Sequence, residues 1–309
     1  MKRHLNHFDI IAAKRAYKDG INITEILRSQ QNLNSNTPEI IETAYDLQAG
    51  SYIKAELNKP NKAHGSELAG ILDDHVTETA SLLDIGTGEL TTLSNVLVRL
   101  KNMPKAVYAC DISWSRIYKG IAYAKGVIGI NFKPETVFVA DINEIPLLDK
   151  SVNITTSSHA LEPNGGKLEA LMSELFRVTK DKLVLFEPCY EINTEDGQRR
   201  MEKLGYIKNI DGVVDTLGGK VTEKIRIKNL SNPLNPTVCF IIIPPANKRA
   251  FADNICGPQT CFSVPGTNLP LKKVEDYYFS DQVGLCYPTL KGVPILKSNT
   301  AIMASALCE

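Results

Sequence analysis

The sequence predicts an α/β chain built on a mainly parallel sheet, and three observations carry that prediction. Short β-like runs alternate with helical ones from Leu82 to about Ile243, the pattern of strands joined by crossover helices. A glycine-rich turn, Gly86-Thr87-Gly88, falls between the first of these runs and the helix after it. The last two runs, Thr222 to Ile227 and Val238 to Ile243, are joined without a helix by a loop containing Asn232-Pro233-Leu234-Asn235-Pro236, so they should pair antiparallel. With 309 residues, 43% of them hydrophobic, the chain can build one large core with an appendage.

Taken in order, residues 1 to 80 read as an α-helical N-terminal cap. Apolar residues recur at three- and four-residue spacing in Ile10, Ile11, Ala13 and Tyr17, and again in Ile40, Ile41, Ala44, Tyr45 and Leu47, one face of a helix. Thr37-Pro38-Glu39 is a helix start: the hydroxyl caps free N–H groups, proline fits the first turn, and an early carboxylate suits the positive end. That helix is predicted from near Pro38 to near Leu57. Strands are predicted at Ser81 to Ile85, Ala106 to Cys110, Thr136 to Ala140, Val152 to Thr156 and Lys182 to Phe186. Helices near Thr91 to Leu100, Ser115 to Lys125 and Lys167 to Val178 separate most of them. Residues 81 to 245 thus form the main domain. Residues 246 to 309 read as a small appended one, because the last 66 residues hold 7 of the 16 prolines and 4 of the 7 cysteines.

Charge narrows the function classes. Lys+Arg and Asp+Glu number 35 each, with no run of five or six basic residues, so neither a global nor a local field favours nucleic acid as a partner. The basic start, Met1 to His7, is followed by polar sequence rather than an apolar stretch, so no secretory signal is expected. No window approaches 18 consecutive apolar residues, and the longest apolar runs, such as Val238 to Pro245, have strand length. A cytoplasmic location is expected, with the seven cysteines as reduced thiols. The sequence does not set the oligomeric state.

Candidate chemistry gathers at strand ends. In Leu82-Leu83-Asp84-Ile85-Gly86-Thr87-Gly88-Glu89 the glycines let backbone approach a ligand that a Cβ would exclude. Asp111, with Ile112, follows the second strand 25 residues beyond Gly86, where an acid can take two ribose hydroxyls; it can also cap the next helix, since Ser113 and Ser115 follow. Asp141-Ile142 follows the third strand, where the pair can hold an adenine amine and ring face or begin a turn. Tyr45 and Tyr52, seven residues apart on the N-terminal helix, can lid such a ligand or pack in the core.

These residues resemble the class I S-adenosylmethionine-dependent methyltransferases over roughly residues 80 to 243. Asp84-Ile85-Gly86-Thr87-Gly88-Glu89 is similar to the family's first motif, Asp111 to its ribose-binding acid and Asp141-Ile142 to its adenine-binding pair. Ser157-Ser158-His159-Ala160-Leu161-Glu162 is similar to the segment after the fourth strand that faces the methyl donor. The resemblance implies a Rossmann-like seven-stranded sheet with a reversed last hairpin, and S-adenosylmethionine as cofactor with S-adenosylhomocysteine as product. One departure is Leu90, where many members have a third glycine. His159 can then serve as a base for an oxygen or nitrogen acceptor, or pack on the cofactor. Glu162 before Pro163-Asn164-Gly165-Gly166, and Glu187 and Glu191 after the fifth strand, stand where an acceptor or plain solvent would lie.

Cys286-Tyr287-Pro288-Thr289-Leu290-Lys291-Gly292-Val293-Pro294-Ile295-Leu296 resembles the closing segment of small zinc-ribbon-like domains fused to, or partnered with, methyltransferases, over roughly residues 250 to 305. Zinc needs two close ligand pairs, but Cys256 and Cys261 are too widely spaced, Ser280 and Val283 stand at the second pair, and the segment has no histidine. His4 and His7 lack acidic or thiolate company. No metal is expected, and Phe262, Tyr277, Tyr278, Phe279, Leu285, Tyr287, Val293, Ile295 and Leu296 should supply a small core against the main domain. The reading is a methyltransferase acting on a small polar metabolite, sugar or peptide-like acceptor. An RNA-modifying enzyme and a non-catalytic cofactor-binding scaffold are the alternatives.

Overall fold

The structure, a computed structural model, describes residues 8–230, 232, 234–246 and 261–308. Five helices come first: α1 (Ile10–Lys18), α2 (Ile23–Gln31), α3 (Pro38–Leu47), α4 (Ser51–Asn58) and α5 (Lys62–Asp73). Thr37 caps α3, its hydroxyl accepting from the Ile40 N–H with Pro38 in the first turn. The single helix expected from Pro38 to Leu57 is instead broken between α3 and α4. Gly50 takes φ +100, a conformation that apolar spacing cannot reveal and that glycine alone adopts without strain.

The main sheet follows: β1 (Ser81–Ile85), α6 (Thr91–Leu97), β2 (Ala106–Asp111), α7 (Trp114–Ile128), β3 (Val137–Val139), β4 (Val152–Ser158), α8 (Leu168–Val178), β5 (Thr179–Pro188), α9 (Glu195–Leu204), α10 (Ile210–Thr216), β6 (Lys220–Arg226) and β7 (Thr237–Ile243). The strand order is β3-β2-β1-β4-β5-β7-β6. Pairing is parallel from β3 through β5, and β7 runs antiparallel to both β5 and β6. This is the mixed α/β, seven-stranded sheet that the sequence predicts. Strand β1 reads as an unbroken apolar run around Asp84 because helices cover both faces of the sheet, and Leu82, Leu83 and Ile85 are wholly buried. The strand order reverses between β1 and β4, so their C-terminal ends diverge and leave a crevice there.

Residues 261–308 form a second, antiparallel sheet: β8 (Lys272–Val274), β9 (Tyr277–Ser280), β10 (Leu285–Leu290), β11 (Val293–Pro294) and β12 (Ile302–Met303). It has no core of its own. Phe262 meets Phe138, Tyr278 and Tyr108 edge-on, with ring centroids 5.1, 5.2 and 6.4 Å away, and Tyr278, Tyr287 and Leu296 join the same buried cluster as β1 and β5. Beyond β11, Ile295 bridges Val139 in parallel, and the Leu296 N–H donates to the Val139 carbonyl at 2.9 Å. The chain therefore covers the β3 edge of its own main sheet. Lys297, buried, pairs with Glu42 on α3 at 2.6 Å. Cys256, His4 and His7 lie outside the described residues. Among the described residues no group of three or more His, Cys, Asp or Glu side chains is arranged to hold a metal, and no helix is long and apolar enough to cross a membrane.

Candidate functional site

A cavity of about 860 Å³ opens at the C-terminal ends of β1, β2, β3 and β4, roofed by α3 and α4. Its floor is the turn after β1. Gly86 and Gly88 have φ +60 and +56; a Cβ on Gly86 would lie 2.4 Å from the Ala160 Cβ, and one on Gly88 2.6 Å from Arg116 Nη2. Gly86 has no room for a side chain, and one at Gly88 would have to displace the Arg116 guanidinium. Leu90 also takes a left-handed φ, +57, and is fully buried. Here a leucine accepts the backbone strain that glycine would avoid, and its side chain packs in the core.

Three acids from successive strand ends line this cavity. The Asp111 carboxylate accepts from the Gly88 N–H through Oδ2 and from the Ser113 N–H through Oδ1, each at 2.9 Å. Ser113 is the helix cap itself, its hydroxyl oxygen accepting from the Arg116 N–H, so Asp111 holds the glycine turn to β2 instead. Asp141 uses Oδ1 for a turn, accepting from the Asn143 N–H at 2.9 Å. Asp84 is buried, and burial, with the charge of Asp111 adding to it, pushes its carboxyl up to about 7. Ile112, Ile142, Thr87 and Ser158 complete this part of the lining. Ser157 does not reach the cavity: it is buried beneath the loop, and its hydroxyl donates to Glu187 Oε1 at 2.7 Å.

Tyr45 and Tyr52 meet over the cavity although their helices are separate, because both pack on one cation. The guanidinium of Arg116, 7% exposed, lies 5.1 Å from the Tyr45 ring centroid and 4.6 Å from that of Tyr52. Its buried Nε makes no hydrogen bond but faces Glu89 Oε1 at 3.9 Å. Glu89 fixes the roof: its buried carboxylate accepts from the N–H groups of Gly50, Tyr52 and Ile53 at 2.9, 3.4 and 2.8 Å, capping α4 from the glycine turn. Asp46 adds a second tie, accepting from the Ser113 hydroxyl at 2.8 Å and the Ser115 N–H at 3.1 Å. Glu89→Gln is expected to lower stability in urea unfolding by about 1.5–3 kcal/mol, the range for hydrogen bonds to a charged group. An unchanged midpoint would show that the roof is held by packing alone.

The opposite wall carries His159, with φ +57. Its Nδ1 is 3.0 Å from Glu162 Oε2 and its Nε2 2.9 Å from the Thr237 hydroxyl oxygen. That hydroxyl donates to the Asn235 carbonyl, so it accepts from Nε2, and both ring nitrogens carry protons in this arrangement. Burial alone would lower the imidazole; the hydrogen bond and charge of Glu162, with Glu187 behind, outweigh it and raise it above its ordinary value. Glu187 is fully buried and pushed up to about 7, with the N–H groups of Ala160 and Leu161 donating to it. Arg200 and Tyr206 share this wall. Sequence reasoning did not find Arg116, Arg200 or Tyr206, nor the part played by Glu89. An acid directly after Gly-x-Gly was the one available signal.

Neither a protein-family model nor a curated protein matches the sequence. Among solved structures the chain is similar to one in the complex between the Haloferax volcanii Trm112 methyltransferase activator and a protein described as a methyltransferase: 15% identity, 65% of this chain, 98% of that one and a TM-score of 0.51. It is also similar to magnesium protoporphyrin IX methyltransferase from Synechocystis with bound S-adenosylhomocysteine (14%, 75%, 99%, 0.47), and to an S-adenosylmethionine-dependent methyltransferase from Aquifex aeolicus (18%, 62%, 97%, 0.44). The first likeness, with the strand order above, establishes a Rossmann-like methyltransferase fold.

Proposed function

We propose that the protein is a methyltransferase that binds S-adenosylmethionine in this cavity and acts on a small polar, sugar or peptide-like acceptor. The observation that carries the proposal is the glycine turn tied to Asp111, opening into a cavity ringed by acids from three successive strand ends. The donor supplies an electrophilic methyl on a cationic sulfonium. The residues fit it: Asp84 and Asp111 suit a cation and a ribose, Asp141 and Ile142 an adenine edge and face. The Arg116 guanidinium, which lines the cavity beside the glycine turn, is suited to a carboxylate.

In this reading the floor and roof hold the donor in an attack geometry, which supplies most of the rate. Tyr45 and Tyr52, held by Arg116 and Glu89, exclude water above it. His159 acts through Glu162: donating from both ring nitrogens, it cannot itself be the base that the sequence suggests, and instead it holds the carboxylate at the cavity wall, where Glu162 takes the proton that an oxygen or nitrogen acceptor must lose. Acceptors needing no base would use the wall for binding only.

Calorimetry with S-adenosylhomocysteine tests the proposal, with one site per chain expected. An ammonium beside Asp84 favours its ionised form, whereas below about pH 7 the free protein holds it protonated. Binding at pH 6 should therefore release a proton, and affinity should rise with pH and level off above about 7. Asp84→Asn should flatten that profile. Absence of any binding heat or melting shift would remove the donor assignment. Methyl-labelled donor incubated with fractionated extract then identifies the acceptor.

A further inference from the structure

Opposite the glycine turn, a closed ring of polar contacts stands at the cavity wall, with all its members except the buried Thr237 lining the cavity. From His159 it runs one way through Nδ1 to Glu162, which also accepts a hydrogen bond from the Tyr206 hydroxyl. The other way it runs through Nε2 to Thr237, and from the Thr237 hydroxyl to the Asn235 carbonyl at 3.1 Å. Asn235, buried, accepts from Arg200 Nη1 through Oδ1 at 2.5 Å. The Arg200 guanidinium bonds the Tyr206 hydroxyl and lies 5.8 Å from that ring's centroid, which closes the circuit. The members come from the loop after β4, from α9 and the turn following it, and from the segment entering β7.

The ring does not balance in charge. Glu162 is met by His159, while Arg200 has no ion-pair partner among the described residues. Its contacts are all neutral, and they fix the plane of a guanidinium that has five N–H donors to give. The floor, by contrast, carries Asp84, Asp111 and Asp141. At the wall, a half-buried arginine oriented by an amide and a phenol is suited to a planar, charge-assisted grip on an anion.

Resting on the methyl-transfer reading, we propose that the acceptor is an anionic molecule whose carboxylate or phosphate group is held by Arg200 across the cavity from the donor. Tyr206 and Asn235 orient the guanidinium and are positioning residues. The anionic group sets which acceptors enter, and its hold leaves the nucleophilic atom facing His159 and Glu162.

The test uses the full chain saturated with S-adenosylhomocysteine, so that the donor side and Arg116 are occupied, and titrates inorganic phosphate in one arm and acetate in the other. Saturable binding of at least one anion is expected, and the tighter arm tells phosphate from carboxylate. Arg200→Gln should weaken that binding tenfold or more and leave S-adenosylhomocysteine affinity within about twofold. Arg200→Lys, which keeps the charge but not the fork, should retain part of the binding; it also serves if the glutamine variant fails to fold. Anion affinity equal in wild type and Arg200→Gln, or no anion binding to the saturated wild type, would overturn the inference. Failure of S-adenosylhomocysteine itself to bind would instead strike the methyl-transfer reading on which it rests.

Discussion

His159→Ala should lower turnover by about a hundredfold or more while S-adenosylhomocysteine affinity stays near that of the wild type, the signature of a group that acts on the reaction rather than on donor binding. The geometry gives a sharper form of the expectation. His159 donates from both ring nitrogens, to Glu162 and to Thr237, so imidazole and carboxylate work as one unit. Glu162→Gln should cost a similar factor, and the double variant should be little worse than either single one, because residues of one unit are not additive. Steady-state kinetics on the identified acceptor, with donor affinity measured in parallel, decides the matter. Turnover that survives His159→Ala intact would leave the histidine as a packing residue on the cofactor, the other role open to it.

The second large effect is expected at Asp111. Asp111→Ala should weaken donor binding by about one to two orders of magnitude, equivalent to about 1.4–2.8 kcal/mol, which matches the loss of hydrogen bonds to a charged group. The carboxylate accepts from both Gly88 and Ser113, so its removal also loosens the glycine turn that forms the cavity floor. Melting curves on the variant separate that loosening from unfolding. A folded variant with unchanged affinity for S-adenosylhomocysteine would overturn the donor site.

The parts of this molecule that were legible in its sequence are those fixed by neighbours in the chain. Strands β1, β2 and β4 appear as short apolar runs because helices bury both their faces. The turn at Gly86 and Gly88 appears because a left-handed φ, with Ala160 and Arg116 close by, favours glycine at both positions. The β6–β7 hairpin begins two residues earlier than expected, at Lys220, because its outer, charged residues pair at the sheet edge without an apolar signal. Helix α9 was missed for a related reason: six of the ten residues of Glu195–Leu204 are charged, and of its residues only Gly197 and Met201 are buried. With α9 went Arg200, whose place in the cavity depends on Asn235, distant in the chain. Arg116 and Glu89 likewise take their meaning from α3 and α4, which fold over them, and no local pattern announces such a contact. Ser157 shows the opposite error. Adjacent residues on a strand point to opposite faces, so only one of Ser157 and Ser158 can reach the ligand side.

The covering of β3 ties the order of synthesis to the state of the sheet edge. All seven strands of the main sheet have left the ribosome before residues 293–296 exist, so the sheet can condense while β3 still presents unpaired N–H and C=O groups. An open edge of this kind is a template for pairing with a neighbouring chain, and incomplete chains are where such pairing begins. The bridge from Ile295 to Val139 closes that edge last. A chain that stops short of it would carry the seven-stranded sheet with its β3 edge still open to pairing.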